Sequence, residues 1–258
     1  MKKDVMSKNI KARLYVENDL GVGMEILLVG NQGHYLVNVM RLKAGDHVTL
    51  FNGRHGDWSA EIIKPGKGKA MVVVRENIAS QGQEPDLWYL FAPIKKARLD
   101  YMVEKATELG VSLLRPVMTE RTNLDRLKED KIKAHAIEAA EQCERMTVPL
   151  VEPLIKLPQL LEGWPEDRLI MFCDEEGESD QNAFPVGRAV EEVEAWQGHP
   201  EKWAILIGPE GGFSEEERRL IRLHPNVVPV TLGPRILRAD TAAISAISLW
   251  QSFVGDWQ

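Results

Sequence analysis

The 258 residues, 44% hydrophobic and 28% charged, suffice to bury a core and exclude a disordered polyelectrolyte; the length suits one large domain or two modest ones. A net charge of −7 argues against a polyanionic partner, whose phosphates demand Lys and Arg. The charge is uneven, however: residues 1–80 hold 12 Lys+Arg against 8 Asp+Glu, leaving 20 against 31 for the remainder.

In chain order, the runs KARLYV, MEILLV, HVTLF, WSAEII and KAMVVV, broken by turn signals such as NGRHGD and KPGKGK, predict a small β-barrel. GHYLVNVMR interrupts them as a helical stretch with Tyr35, Leu36, Val39 and Met40 on one apolar face. Polar ASQGQEPD then reads as a linker at about 78–86. From Leu87 the pattern changes to strands alternating with amphipathic helices: LWYLFAPI, a helix from about Leu99 to Leu109 stopped by Gly110, VSLLRPVM, and a long helix within 124–146. Strands at 168–173, 202–207 and 227–232 and helices at 187–197, 215–223 and 241–254 follow. This α/β alternation predicts a mostly parallel sheet with helices on both faces.

Two segments carry chemistry. IGPEGGFSEEE, residues 207–217, leaves a strand and enters a helix, with Ser214 and Glu217 at capping-box spacing. Lying beyond the carboxyl end of a strand, it is either a ligand loop or a tight turn whose glycines serve geometry alone. LGPRILRADTAA, residues 232–243, repeats the arrangement, with Asp240 or Thr241 as the expected helix cap. Arg235 and Arg238 either grip a carboxylate or phosphate through planar, bidentate hydrogen bonds or pair with a neighbour such as Asp240.

The sequence lacks GxGxxG, GxxxxGK[ST], GxSxG and HExxH, which sets aside NAD-type, P-loop, nucleophile-elbow and zincin readings. His34 is expected to pack or face solvent. Cys143 and Cys173 form no CxxC pair and are expected as reduced thiols, without a structural metal. No apolar run approaches the roughly 18 residues of a membrane span, and MKKDVMSKNI lacks a signal-peptide core, so a cytoplasmic protein is expected.

Together GPEGGFSEEE, LGPRILRADTA, VEKATELGV (103–111), AIEAAEQCERMTVP (136–149), RLYV (13–16) and HYLVNVMR (34–41) resemble the RsmE-type ribosomal RNA uridine-N3 methyltransferases of the SPOUT superfamily. The resemblance spans nearly the whole chain. It implies a PUA-like barrel for RNA contact over residues 1–80 and a SPOUT methyltransferase domain over 87–258. It further implies a trefoil knot, a rare exception to unthreaded chains, and a homodimer. The implied methyl donor is S-adenosylmethionine, and the implied substrate is small-subunit (16S) ribosomal RNA, free or in the assembled subunit. By motif position the donor is expected against Leu206, Ile207, Gly208, Pro209, Gly211 and Gly212, and against Leu232, Gly233, Ile236, Leu237 and Arg238. A third wall is expected near Phe172 and Cys173. Asp240 stands where the family more often carries Glu.

Methylating the imide nitrogen of uracil requires loss of its proton. Arg238 is the expected cation for the developing anion, and Glu210 the expected proton acceptor or orienting group. Phosphate contacts are expected from Lys11, Arg13 and Arg41 of the barrel, from Arg235, and from Lys95, Lys96 and Arg98, a run that reads equally as a solvated helix start. Two alternatives stand beside this: the same fold acting on a ribose 2′-hydroxyl or another base, and a non-catalytic RNA-binding assembly factor.

Overall fold

Period-two alternation builds the first of two compact units, which comprises residues up to Gln83 together with Ala140–Val148. The computed structural model describes residues 10–123, 127–174 and 183–257, without the side chains of Lys96, Trp196 and Gln197. The FCDEEGESD stretch beyond Asp174, the start of the long helix predicted within 124–146, and the Lys96 side chain lie outside the described residues.

In the first unit the strands are β1 (Ile10–Tyr15), β2 (Glu25–Leu28), β3 (His47–Phe51), β4 (Asp57–Gly66) and β5 (Lys69–Ala79), in sheet order β1-β3-β4-β5-β2. All neighbours are antiparallel except β1 and β3. Inward positions such as Val48, Leu50, Ala60, Ile62, Ala70, Val72 and Val74 are wholly buried and form its core. The helical stretch departs from its predicted face. Helix α1 (Gly30–His34) widens into a π-turn at Tyr35–Val39, where Met40 donates its N–H to the Tyr35 carbonyl at 2.9 Å. Five residues per hydrogen-bonded step rotate the apolar stripe. Leu36, Val37 and Met40 therefore pack inward, while Tyr35 and Val39 face solvent.

The second unit comprises Glu84–Ala139 and Pro149–Gln258. Its strands are β6 (Leu87–Phe91), β7 (Leu113–Met118), β8 (Leu150–Val151), β9 (Ile155–Lys156), β10 (Leu169–Cys173), β11 (Phe184–Pro185), β12 (Trp203–Ile207) and β13 (Val227–Thr231). They run parallel in the order β11-β13-β10-β12-β6-β7-β8, with β9 pairing β7. The continuous apolar runs of β10 (LIMFC) and β12 (WAILI) are buried throughout, as a sheet covered on both faces requires.

The helices are α2 (Lys96–Glu108), α3 (Glu129–Gln142), α4 (Leu157–Glu162), α5 (Val186–Gln197), α6 (Glu215–Arg222) and α7 (Ala239–Phe253). Helix α7 packs on α2, α5 and β12, whereas α4 and α6 pack on each other. Alternation along each strand divides the core accordingly: Leu90, Ile170, Phe172, Ala204 and Leu206 share a cluster with Leu157, Leu160 and Ile221 of α4 and α6. Helix α2 begins three residues before the predicted Leu99. Its face of Leu99, Met102, Val103 and Ala106 is buried, and Gly110, at φ +86°, follows its C-cap. Helix α7 also starts early. The extended backbone of Arg238 makes that residue the N-cap in place of Asp240 or Thr241, and Asp240 sits in the first turn. There its carboxylate favours the positive end of the helix dipole.

Candidate active site

Strands β10, β12 and β13 end together, and their carboxyl ends open into a cavity of about 370 Å³. Such strand ends are where open α/β sheets bind ligands. One wall is the loop after β12, with Ile207, Gly208, Pro209, Glu210, Gly211 and Gly212. The other follows β13, with Leu232, Gly233, Arg235, Ile236, Leu237 and Arg238. Cys173 and Asp174 close it from β10, and Thr231, Ala239 and Ala242 complete the lining.

Glycine is required locally for two different reasons. Gly233 adopts φ +98°, a conformation side chains resist. At Gly208 a Cβ would stand 2.7 Å from the Phe213 ring, so the backbone there is pressed against a buried aromatic. The first loop then enters α6 through the capping box seen in the sequence. Ser214 Oγ accepts the Glu217 N–H at 3.2 Å, and Glu217 Oε2 accepts the Ser214 N–H at 3.0 Å.

Most of the donor-site residues named from sequence thus come together, but two do not line the cavity. Phe172 and Leu206 point to the opposite face of the sheet, where Phe172 meets Phe213 edge to face at 5.3 Å. The side-chain period of two sends their successors, Cys173 and Ile207, to the cavity instead. Arg235, Arg238 and Glu210 are exposed at its margin. Neither arginine has a side-chain hydrogen bond or ion pair among the described residues, so Arg238 does not pair with Asp240.

The cationic positions proposed for RNA separate into distinct environments. Arg13 is partly buried and occupied: its guanidinium bonds Asp57 at 2.8 and 3.3 Å, the carbonyls of Ala140 and Arg145 at 2.9 and 2.8 Å, and lies 3.7 Å from the Phe51 ring centre. With these donors taken inside the first unit, Arg13 serves packing there. Lys11 pairs with Asp46 at 2.7 Å, and that hydrogen bond holds the Asp46 carboxyl below its ordinary range. Arg41 and Lys95 are exposed and Arg98 is half-buried.

Sequence reasoning missed the anchors of the site. Asp174, only 3% exposed, pairs with Arg218 Nε at 3.1 Å and Arg222 Nη2 at 2.9 Å, tying the end of β10 to α6. Burial, and secondarily the Asp174 charge, push the Cys173 thiol far above its ordinary pKa, so this thiol in the wall stays protonated. Among the described residues no three His, Cys, Asp or Glu side chains come together as a metal site. No described helix is long and apolar enough to cross a membrane.

Comparison with known proteins agrees with this architecture. A profile of an RNA methyltransferase domain matches residues 82–251, and one of an RNA methyltransferase PUA domain matches residues 28–75. Ribosomal RNA small subunit methyltransferase E of Rickettsia conorii is 30% identical over 237 residues, covering 92% of this chain and 93% of that protein. The crystal structure of ribosomal RNA small subunit methyltransferase E from Neisseria gonorrhoeae, bound to S-adenosyl methionine, superposes with a TM-score of 0.83 at 27% identity, covering 96% of this chain and 99% of that one. A protein from Legionella pneumophila, solved in complex with the bound cofactor SAM, gives a TM-score of 0.80 at 29% identity over 95% and 98% of the two chains. With the RNA methyltransferase domain profile matched over residues 82–251 and a relative 30% identical along nearly its full length, this chain belongs to the ribosomal RNA small subunit methyltransferase E family.

Proposed function

We propose that the chain transfers the methyl group of S-adenosylmethionine to N3 of a uridine in small-subunit (16S) ribosomal RNA, working in the cytoplasm as a homodimer. The observation that carries this reading is the cavity between the two Gly-Pro loops, at the strand ends of a fold shared with relatives crystallised with that cofactor.

The lining suits the donor. Ile207, Pro209 and Leu237 offer apolar walls for a purine face, while Gly208, Gly211, Gly212 and Gly233 let backbone groups approach it closely. The volume of about 370 Å³ falls within the range of small-molecule sites. When bound, the donor supplies an electrophilic methyl on a sulfonium sulfur. The chain's own work is to orient and to manage a proton. Unpartnered Arg238, at the cavity margin, stabilises negative charge developing on the uracil imide, and Glu210 takes or orients its N3 proton. Fixing two reactants in line is itself worth about 7 to 11 kcal/mol. Because N3 lies on the pairing edge, the uridine must enter unpaired or splayed from its stack.

The trefoil knot belongs to this reading, supported by β13 lying on the far side of β10 from β12. A homodimer is supported by apolar residues left exposed near the chain's end: Leu249 and Phe253 of α7, with Trp257 beyond it. Lys11, Arg41, Lys95, Lys96, Arg98 and Arg235 are the proposed phosphate contacts.

The test is methyl transfer from labelled S-adenosylmethionine to small subunits isolated from a strain lacking this gene, with nucleosides resolved by mass spectrometry. 3-Methyluridine is the expected product. A 2′-O-methyl nucleoside overturns the base assignment, and absence of both transfer and calorimetric donor affinity leaves an assembly factor.

A further inference from the structure

A guanidinium outside the donor cavity is built into the back of its wall. The segment after β7 turns at Thr119–Thr122, where the Thr122 N–H donates to the Thr119 carbonyl at 3.1 Å and the two hydroxyls lie 2.7 Å apart. The turn is fastened to the first turn of α6 by the Glu120 N–H, which donates to buried Glu217 Oε1 at 2.8 Å. Arg121 is thereby laid over the glycine loop. Its Nη1 donates to the Gly211 carbonyl at 2.9 Å, and a Cβ added at Gly211 would stand 3.5 and 3.6 Å from Arg121 Cβ and Cδ.

That is the one side-chain hydrogen bond Arg121 makes among the described residues, and a guanidinium carries five N–H donors. The side chain is exposed, does not line the cavity, and sits on a turn fastened to α6. A pre-positioned, partly used planar fork fits a phosphate. The need for one is local: residues 84–139 and 149–258 carry 19 Lys+Arg against 29 Asp+Glu, so the net charge of this unit repels RNA and attraction must come from individual cations near the cavity.

We propose that Arg121 is an RNA-contacting residue that grips a backbone phosphate beside the target nucleotide while its single bond to Gly211 registers that phosphate against the donor loop. This rests on the methyltransferase reading above. The alternative source of an anion, the donor's own carboxylate, is separated by the test.

The experiment measures methyl transfer to small subunits from the gene-deletion strain across a salt series, and donor affinity by calorimetry, for the full-length wild-type protein, Arg121→Gln and Arg121→Lys. Gln keeps a donor for the Gly211 carbonyl and removes the charge. Arg121→Gln is expected to raise KM for the subunit about ten- to a hundredfold and to flatten the slope of log KM against log salt by about 0.7 to 0.9, with donor Kd unchanged. Arg121→Lys restores the slope and part of the KM. Wild-type transfer with an unaltered slope in Arg121→Gln overturns the phosphate contact alone. A parallel loss of donor affinity reassigns Arg121 to the donor site, and a wild-type protein that transfers nothing overturns both readings.

Discussion

Glu217 Oε1 and the backbone N–H of Glu120 meet at 2.8 Å across 97 residues of chain, while the other oxygen of the same carboxylate closes the Ser214 capping box at 3.0 Å. One buried side chain therefore sets both the start of α6 and the turn behind the glycine loop. Glu217→Ala leaves two N–H groups without an acceptor and is expected to cost about 2 to 4 kcal/mol, read as a lower urea midpoint at constant m. Glu217→Gln, whose carbonyl still serves one of them, should lose about half as much.

The two loop glycines should fail differently. At Gly208 the added methyl meets Phe213, whose ring is wholly buried against Phe172 and has nowhere to retreat. Gly208→Ala should displace the loop and weaken donor binding about tenfold, a change of about 1.4 kcal/mol measurable by calorimetry. Around Gly233 a Cβ meets nothing within 4 Å, yet φ is +98°. Gly233→Ala is thus expected to lower the melting temperature through strain of about 1 to 3 kcal/mol.

Arg13 provides a test of structure against composition. Side-chain exposures of 10% and 15% place its pair with Asp57 largely out of water. Arg13→Ala should cost about 3 to 5 kcal/mol by stranding the Asp57 carboxylate, and leave the salt dependence of RNA binding at its wild-type slope. A flattened slope at unchanged stability would return Arg13 to the RNA contacts.

How far the sequence reached follows from the range of each interaction. LIMFC and WAILI declare buried parallel strands without reference to anything distant, and Ser214 with Glu217 declares a helix start across three residues. The two Gly-Pro loops were legible for the same reason. The Asp174–Arg218 pair spans 44 residues and the Arg121–Gly211 bond spans 90, and neither leaves a mark in local spacing. Phe172 and Leu206 were misplaced because the strand end fixes which parity faces the cavity, and composition alone does not mark that end. The start of α7 was misread because Asp and Thr are strong caps, whereas the extended Arg238 backbone, with no side-chain cap, begins the helix two residues earlier. Short β8, β9 and α4 have too few residues to show a period.

Thiol chemistry gives a count. Cys143 is exposed, and Cys173 is buried with its thiol held protonated. Maleimide should label one site per native chain and two in denaturant, because the thiolate is the reacting form and burial denies both charge and access at Cys173. Rapid native labelling of Cys173, seen by peptide mass, would contradict its burial.

Arg238 and Glu210 are assigned different tasks, and kinetics can tell them apart. An arginine that meets charge only as it develops contributes to the transition state and not to ground-state donor binding. Arg238→Ala should lower kcat about a hundred- to a thousandfold with donor Kd within about twofold of wild type, and leave the shape of the pH–rate profile intact. A proton acceptor works through its carboxylate oxygens, which an amide cannot replace in that task. Glu210→Gln should therefore reduce kcat about a hundredfold with donor Kd unchanged. If Glu210→Gln keeps kcat near wild type while Glu210→Ala loses it, Glu210 orients the loop or the base, and the N3 proton leaves by another route. If Arg238→Ala instead weakens donor binding in step with kcat, the guanidinium belongs to the donor's ground-state contacts.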